Sequence, residues 1–155
     1  MLARNFLSAA DLEVTEQERD ALIRVLFALE RGEIEYADIG DLAVSLRCGV
    51  GLVPTHFNMG TVQGRAAGNC GTVACICGWA RYFAGSDKVF EYVGMSDREA
   101  LCTLFLMGMC HKPDLMAIDV ARWQKGLPIL PQDAAQALSN FLTTGKSNWK
   151  QVVGE

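Results

Sequence analysis

The feature that most constrains the fold is a strong helix signal near the N-terminus. Thr15 and Glu18 have the spacing of a capping box, in which each side chain hydrogen-bonds an unpaired amide at the start of a helix. Behind them, apolar residues recur every three or four positions, as they do on one buried helical face: Leu22, Val25, Leu26 and Leu29. The glycine of the Arg31–Glu33 segment is a typical helix stop. The pattern predicts a helix from about Thr15 to Glu30.

The same period recurs along most of the chain and predicts several further helices. They cover the region of Ile39–Leu46, then Gly71–Ala84, Ser96–Met107, Asp114–Gln124 and Pro131–Thr143, the last ending at Gly145. The sequence therefore predicts an all-α fold, a compact single-domain bundle of about five or six helices over residues 1–155. Residues 1–14 are expected to form a loosely ordered N-terminal segment.

Composition and charge narrow the class of protein. Half of the 155 residues are hydrophobic and 21% are charged, which is typical of a globular chain. A net charge of -4, with basic residues scattered singly, argues against general nucleic-acid binding. The most apolar window, Ala100–Cys110, is too short to span a bilayer, and the N-terminus does not resemble a secretory signal. We therefore expect a cytoplasmic protein with reduced cysteines and no membrane association.

A long glycine-rich segment runs from Gly49 to Asn69. It contains five glycines, which predict a loop, with a short extended piece at Phe57–Met59. Loops of this length in a small domain tend to be functional. We therefore expect this loop and the adjoining helix start to form a recognition surface, with a set of candidate binding residues that comprises Phe57, Asn58, Met59 and Asn69.

The stretch GNCGTVACICGWA, which begins at Gly68, holds three of the six cysteines within eight residues. A zinc site needs about four ligands, usually supplied as close C-x2-C or H-x3-H pairs. The spacings here are four residues between Cys70 and Cys75 and one residue between Cys75 and Cys77. On a helix, Cys75 and Cys77 would point to different sides. The sequence therefore predicts no metal and no cofactor.

A second interpretation makes Cys70 a nucleophile. Cys70 lies where the glycine-rich loop enters the predicted helix, and the amides and dipole at a helix N-terminus lower the pKa of a thiol. A Cys-Gly pair that opens a helix resembles the catalytic-cysteine segment of papain-like hydrolases and bacteriocin-processing peptidases, which implies a histidine base and a residue that orients it. His111 and Asp114 follow in the implied order. Papain-like enzymes carry this histidine on a strand of a β-sheet, and no run of alternating strands is evident after Cys70.

A third interpretation needs no chemistry. Asn69 would cap the helix, and a stripe of small residues would allow another backbone to approach closely: Gly71, Ala74, Cys75 and Gly78. Cys77 would face the core together with Val73 and Ile76. Trp79 would lie on the flank, with its indole N–H seeking an acceptor. Three other aromatic residues could line a ligand pocket, but large aromatic residues in a domain of this size are mostly core, which is the prediction for them: Tyr82, Trp123 and Trp149.

The motif also resembles one found in uncharacterised small helical proteins of bacteria and bacteriophages, written CGTxxCxxGWA. The resemblance covers roughly Phe57–Trp149 and includes the segment Ala135–Trp149. It implies a small helical protein and brings no established activity. The chain is thus expected to be an intracellular binding or regulatory protein whose partner is another protein. The alternative is a papain-like thiol hydrolase with Cys70, His111 and Asp114 at its site.

Overall fold

The computed structural model describes residues 4–37, 56–57, 64–65, 72–86 and 128–154. These residues form five helices: α1 (Ala9–Leu12), α2 (Glu16–Glu30), α3 (Ile76–Ala84), α4 (Pro131–Thr144) and α5 (Trp149–Val153). They also form four short strands: β1 (Glu35–Tyr36), β2 (His56–Phe57), β3 (Gly64–Arg65) and β4 (Thr72–Ala74). The described residues are mostly helical, as predicted. The small sheet was not predicted and departs from the all-α class.

The capping box at the start of α2 is formed as the sequence predicts. The Glu18 amide donates to Thr15 Oγ1 at 3.1 Å, and the Thr15 amide donates to Glu18 Oε1 at 2.9 Å. The predicted apolar face is buried along its whole length: Leu22, Val25, Leu26 and Leu29. Gly32 follows the helix with a φ of +71°, a left-handed conformation that glycine adopts without strain.

The predicted C-terminal helix is also confirmed. Its first residue is Pro131, where a missing amide costs nothing, and Gly145 caps its end with a φ of +82°. Leu138, Phe141 and Leu142 are buried as predicted. Helix α5 follows after a short turn and packs on α4.

The sheet has the strand order β1-β2-β4-β3. Strand β2 runs parallel to both β1 and β4, whereas β3 is antiparallel to β4. Strands β2 and β3 both lie within the predicted Gly49–Asn69 loop. The extended piece predicted at Phe57–Met59 corresponds to β2, which covers His56–Phe57; Asn58 and Met59 lie outside the described residues.

Helix α2 lies at the centre of the described fold, between α3 and α4. Its buried face joins one cluster with residues from α3, α4, α5 and β2. Residues between 4 and 14 contact this core. The Leu7 amide donates to the Leu142 carbonyl at 2.8 Å, and Arg19 Nε donates to the Leu7 carbonyl at 2.7 Å.

The prediction for the start of α3 is wrong. The helix begins at Ile76, and the three residues Thr72–Ala74 form a strand instead. Val73 faces His56 in β2 and Gly64 in β3, so β4 is an inner strand with hydrogen-bonded neighbours on both sides. Pairing on two sides, together with the β-branched Thr72 and Val73, outweighs the helical pattern.

Three predicted helices lie outside the described residues. They are the helix in the region of Ile39–Leu46 and those over Ser96–Met107 and Asp114–Gln124, the last of which includes Trp123.

Candidate functional site

The cysteine motif begins in the sheet and ends in α3. Cys75, not Asn69, is the N-cap residue of the helix, with an extended backbone and no side-chain hydrogen bond that caps the helix. Its side chain is buried, with 1% of its surface exposed. A substrate cannot reach a thiol in that position, so the dipole at this helix start does not create a nucleophile. Its burial does fit the predicted role of a small packing residue.

Activation of the Cys70 thiol by a helix dipole requires a helix that starts beside Cys70. Helix α3 starts six residues later, at Ile76. Cys70, His111, Asp114 and Asn69 lie outside the described residues. The proposed catalytic set therefore remains a hypothesis, without the helix-dipole effect that suggested it.

The small-residue stripe is also interrupted. Ala74 lies in β4, Cys75 is the N-cap and Gly78 lies within α3, so these residues do not share one helical face. Ile76 is fully buried, as expected. Gly71 and the side chains of Val73 and Cys77 are outside the described part of the chain.

Trp79 links α3 to the predicted recognition loop. Its indole Nε1–H donates to the His56 carbonyl of β2 at 3.1 Å, which provides the acceptor that the sequence analysis expected. Only 6% of the Trp79 surface is exposed. Phe57, the next residue in β2, is completely buried in the same cluster. The side chain of this candidate binding residue is therefore a core contact that fixes the strand.

Tyr82 is more exposed than the sequence predicts. The predicted position is in the core, but 46% of its surface is exposed. The reason is its position on α3, where Ile76, Trp79 and Ala80 occupy the buried face and Tyr82 points away from it. Trp149, in contrast, is buried as expected.

The exposed ring of Tyr82 is supported by two neighbours. It stands edge-to-face on Trp79, with ring centroids 5.9 Å apart and planes at 85°. The Phe83 ring centroid lies 5.5 Å from that of Tyr82 and 5.9 Å from that of Trp79, so the three rings form a triangle. We refer to Trp79, Tyr82 and Phe83 as the aromatic patch. Its geometry holds a large amphipathic ring in a fixed position beside the strand that anchors the loop, an arrangement suited to contact with another molecule.

Two side chains of α2 hydrogen-bond the C-terminal end of α3, the helix that carries the patch. Arg24 Nη1 donates to the Phe83 carbonyl at 3.2 Å, and Gln17 Nε2 donates to the Ala84 carbonyl at 3.3 Å. These bonds satisfy carbonyl groups at the end of α3, where backbone acceptors have no partner within the helix. The C-terminal end of the helix that carries Tyr82 is therefore attached to α2.

No arrangement for metal binding is present in the described parts of the chain, where no three His, Cys, Asp or Glu residues come together. None of the described helices is long and apolar enough to cross a membrane.

Comparison with known proteins adds no functional assignment, since no protein family, curated protein or solved structure matches the chain.

Proposed function

We propose that this is a binding or regulatory protein whose partner is another protein, and that it recognises this partner through the Gly49–Asn69 loop and the aromatic patch beside it. The observation that carries the proposal is the exposed Tyr82 ring, fixed on the buried Trp79. Tyrosine is enriched among the residues that dominate binding energy, because it offers a large contact area with little entropy to lose. The proposal includes the single-domain organisation expected from the sequence.

A hydrogen bond between Trp79 of the patch and strand β2 of the loop supports this role. Strand β2 is held between β1 and β4, and its His56 carbonyl accepts the Trp79 N–H. His56 and Phe57 are therefore held in a fixed position next to α3. Preorganisation of this kind lowers the entropic cost of binding. Asn58, Met59 and Asn69 remain the candidate loop contacts.

Photocrosslinking tests the proposed surface. We expect p-benzoylphenylalanine at position 82 or 58, introduced in the native host, to give the same discrete protein adduct. The same group at position 151, an exposed residue of α5, is the control and should not give it. If no adduct forms at positions 82 and 58, or if the adducts match those at position 151, this surface is ruled out.

The adduct then identifies a partner for an affinity measurement. Tyr82→Ala should weaken its binding about tenfold or more, because a central aromatic contact is lost. The free energy of unfolding should change by about 1 kcal/mol or less, since the removed ring is half exposed and contributes mainly edge contacts. Equal binding by the variant and the parent protein would contradict a role for Tyr82.

A further inference from the structure

A polar groove lies on another side of α2 from the aromatic patch. It is open to solvent, has a volume of about 430 Å³ and is bounded by the N-terminal segment, the end of α2 and the first turns of α4. This volume is within the usual range for small-molecule sites. Its lining combines a charged pair, three neutral polar side chains and an apolar floor: Arg4, Glu30, Gln132, Gln136, Ser139 and Ala135.

The charged pair consists of Arg4 and Glu30. Arg4 Nη1 and Glu30 Oε1 are 2.6 Å apart, yet about 30% of each side chain is exposed, so neither charge is sealed off by the other. The hydrogen bond to Glu30 raises the pKa of Arg4, which keeps the guanidinium charged. An arginine has five N–H donors and a carboxylate has about four acceptor positions, so this single contact leaves capacity on both sides.

The position of Glu30 departs from the usual rule for helix ends. It is the last residue of α2, where the helix dipole is negative, and the last turn contains no basic residue. A negative side chain there is mildly unfavourable unless a cation is supplied. Across the groove lies the N-terminal end of α4, with Gln132 as its second residue, where the Asp133 carboxylate already accepts the Leu130 amide. The positive pole of the groove is therefore the Arg4 guanidinium, and the negative pole is the Glu30 carboxylate at the end of α2.

We propose that this groove binds a free α-amino acid. The ligand carboxylate would bind the Arg4 guanidinium on the side of the α4 N-terminus, and the ligand ammonium group would bind Glu30 at the end of α2. The four charges would then alternate in sign around the groove, and each ligand charge would meet an opposite pole. The amide groups of Gln132 and Gln136 and the hydroxyl of Ser139 supply hydrogen-bonding partners for the side chain of a polar amino acid.

This site is separate from the proposed recognition surface. Helical residues advance by about 100° each, which places Glu30 roughly 120–140° around α2 from Gln17 and Arg24, the residues that contact α3. Failure of one proposal would therefore leave the other standing.

Titration with the twenty common amino acids tests the proposal. Each is added at up to 10 mM to the full chain labelled with ¹⁵N, and amide shifts are followed. We expect at least one amino acid to shift the signals of groove residues in a saturable way. Its N-acetyl and its carboxamide derivatives should each bind at least tenfold more weakly, because each lacks one charge. Glu30→Gln should reduce the affinity for the parent ligand by a similar factor.

The matched control is Arg31→Gln. Arg31 donates to Glu33 at 2.7 and 3.1 Å in an exposed ion pair at the same end of α2, and this contact lowers the pKa of Glu33, but neither residue lines the groove. Its replacement should leave the affinity unchanged. The absence of saturable shifts for all twenty amino acids would overturn the proposal and leave Arg4–Glu30 as a structural ion pair. Equal binding of the blocked derivatives to the parent protein would also overturn it, whatever the stability of the variants.

Discussion

Replacing Phe57 by alanine is expected to lower the free energy of unfolding by about 3–5 kcal/mol, the usual range for a buried phenylalanine. The side chain is completely buried in the main core cluster, and its strand is paired on both sides. Truncation would remove its apolar contacts and leave a cavity in this cluster. Urea unfolding followed by far-ultraviolet circular dichroism measures the change.

A control variant that retains most of the apolar volume tests whether the loss of stability comes from packing. Phe57→Leu should cost less than about 2 kcal/mol, because most of the apolar volume is retained. The alternative, that Phe57 contacts the partner directly, makes the opposite prediction. A loss of stability below about 1 kcal/mol for Phe57→Ala, combined with a large loss of partner binding, would contradict the buried position.

Replacing Trp79 by alanine should be about as damaging, with an expected loss of about 3–5 kcal/mol. The substitution removes a buried ring, its hydrogen bond to the His56 carbonyl and the support under Tyr82. It should also weaken partner binding, because both the loop strand and the tyrosine lose their fixed position. Urea unfolding and the affinity for the crosslinked partner measure the two effects.

Trp79→Phe isolates the hydrogen bond. Phenylalanine retains much of the ring contact but cannot donate to His56, so we expect a smaller loss of about 1–2 kcal/mol. A Trp79→Phe variant as stable as the parent protein would show that the link between α3 and β2 contributes nothing. A Trp79→Ala variant that keeps full partner affinity would separate the aromatic patch from recognition.

The elements that the sequence predicted best are those specified by local signals. Helix α2 has its own capping box, an apolar stripe and a glycine stop, and all three act within the segment itself. Helix α4 has a proline at its start and a glycine after its end, which are equally local. For such segments, neighbouring residues determine the structure, and their bounds differ from the prediction by one residue.

The start of α3 was predicted wrongly because it depends on distant residues. Thr72–Ala74 continues the helical spacing of Ile76, Ala80 and Phe83, so periodicity alone assigns it to the helix. Its strand conformation comes from pairing with β2 and β3, which lie in a segment whose glycine content predicts a loop. A strand of two residues has no detectable period, and the sheet was therefore missed.

The candidate sites show the same limit. Tyr82 could have been placed outside the core from the predicted helix itself, because at about 100° per residue it lies on a different face from Ile76 and Ala80. The pair of Arg4 and Glu30 joins residues far apart in the sequence, and no local pattern connects them. One signal in the sequence could have indicated that Glu30 has a cationic partner. Glu30 is the last residue of α2, where the helix dipole disfavours a negative charge.

The measurement that most directly tests whether the protein acts by binding rather than through a catalytic thiol is the alkylation rate of Cys70. The folded protein is treated with iodoacetamide at pH 6, and each cysteine is quantified by peptide mass mapping, with the buried Cys75 as the internal control for folding. We predict that Cys70 reacts no faster than the cysteine of a short unstructured peptide, since α3, the helix that would lower its pKa, starts six residues later. A rate at least tenfold above that of the peptide, abolished by His111→Ala, would contradict the account and establish a thiolate paired with a base.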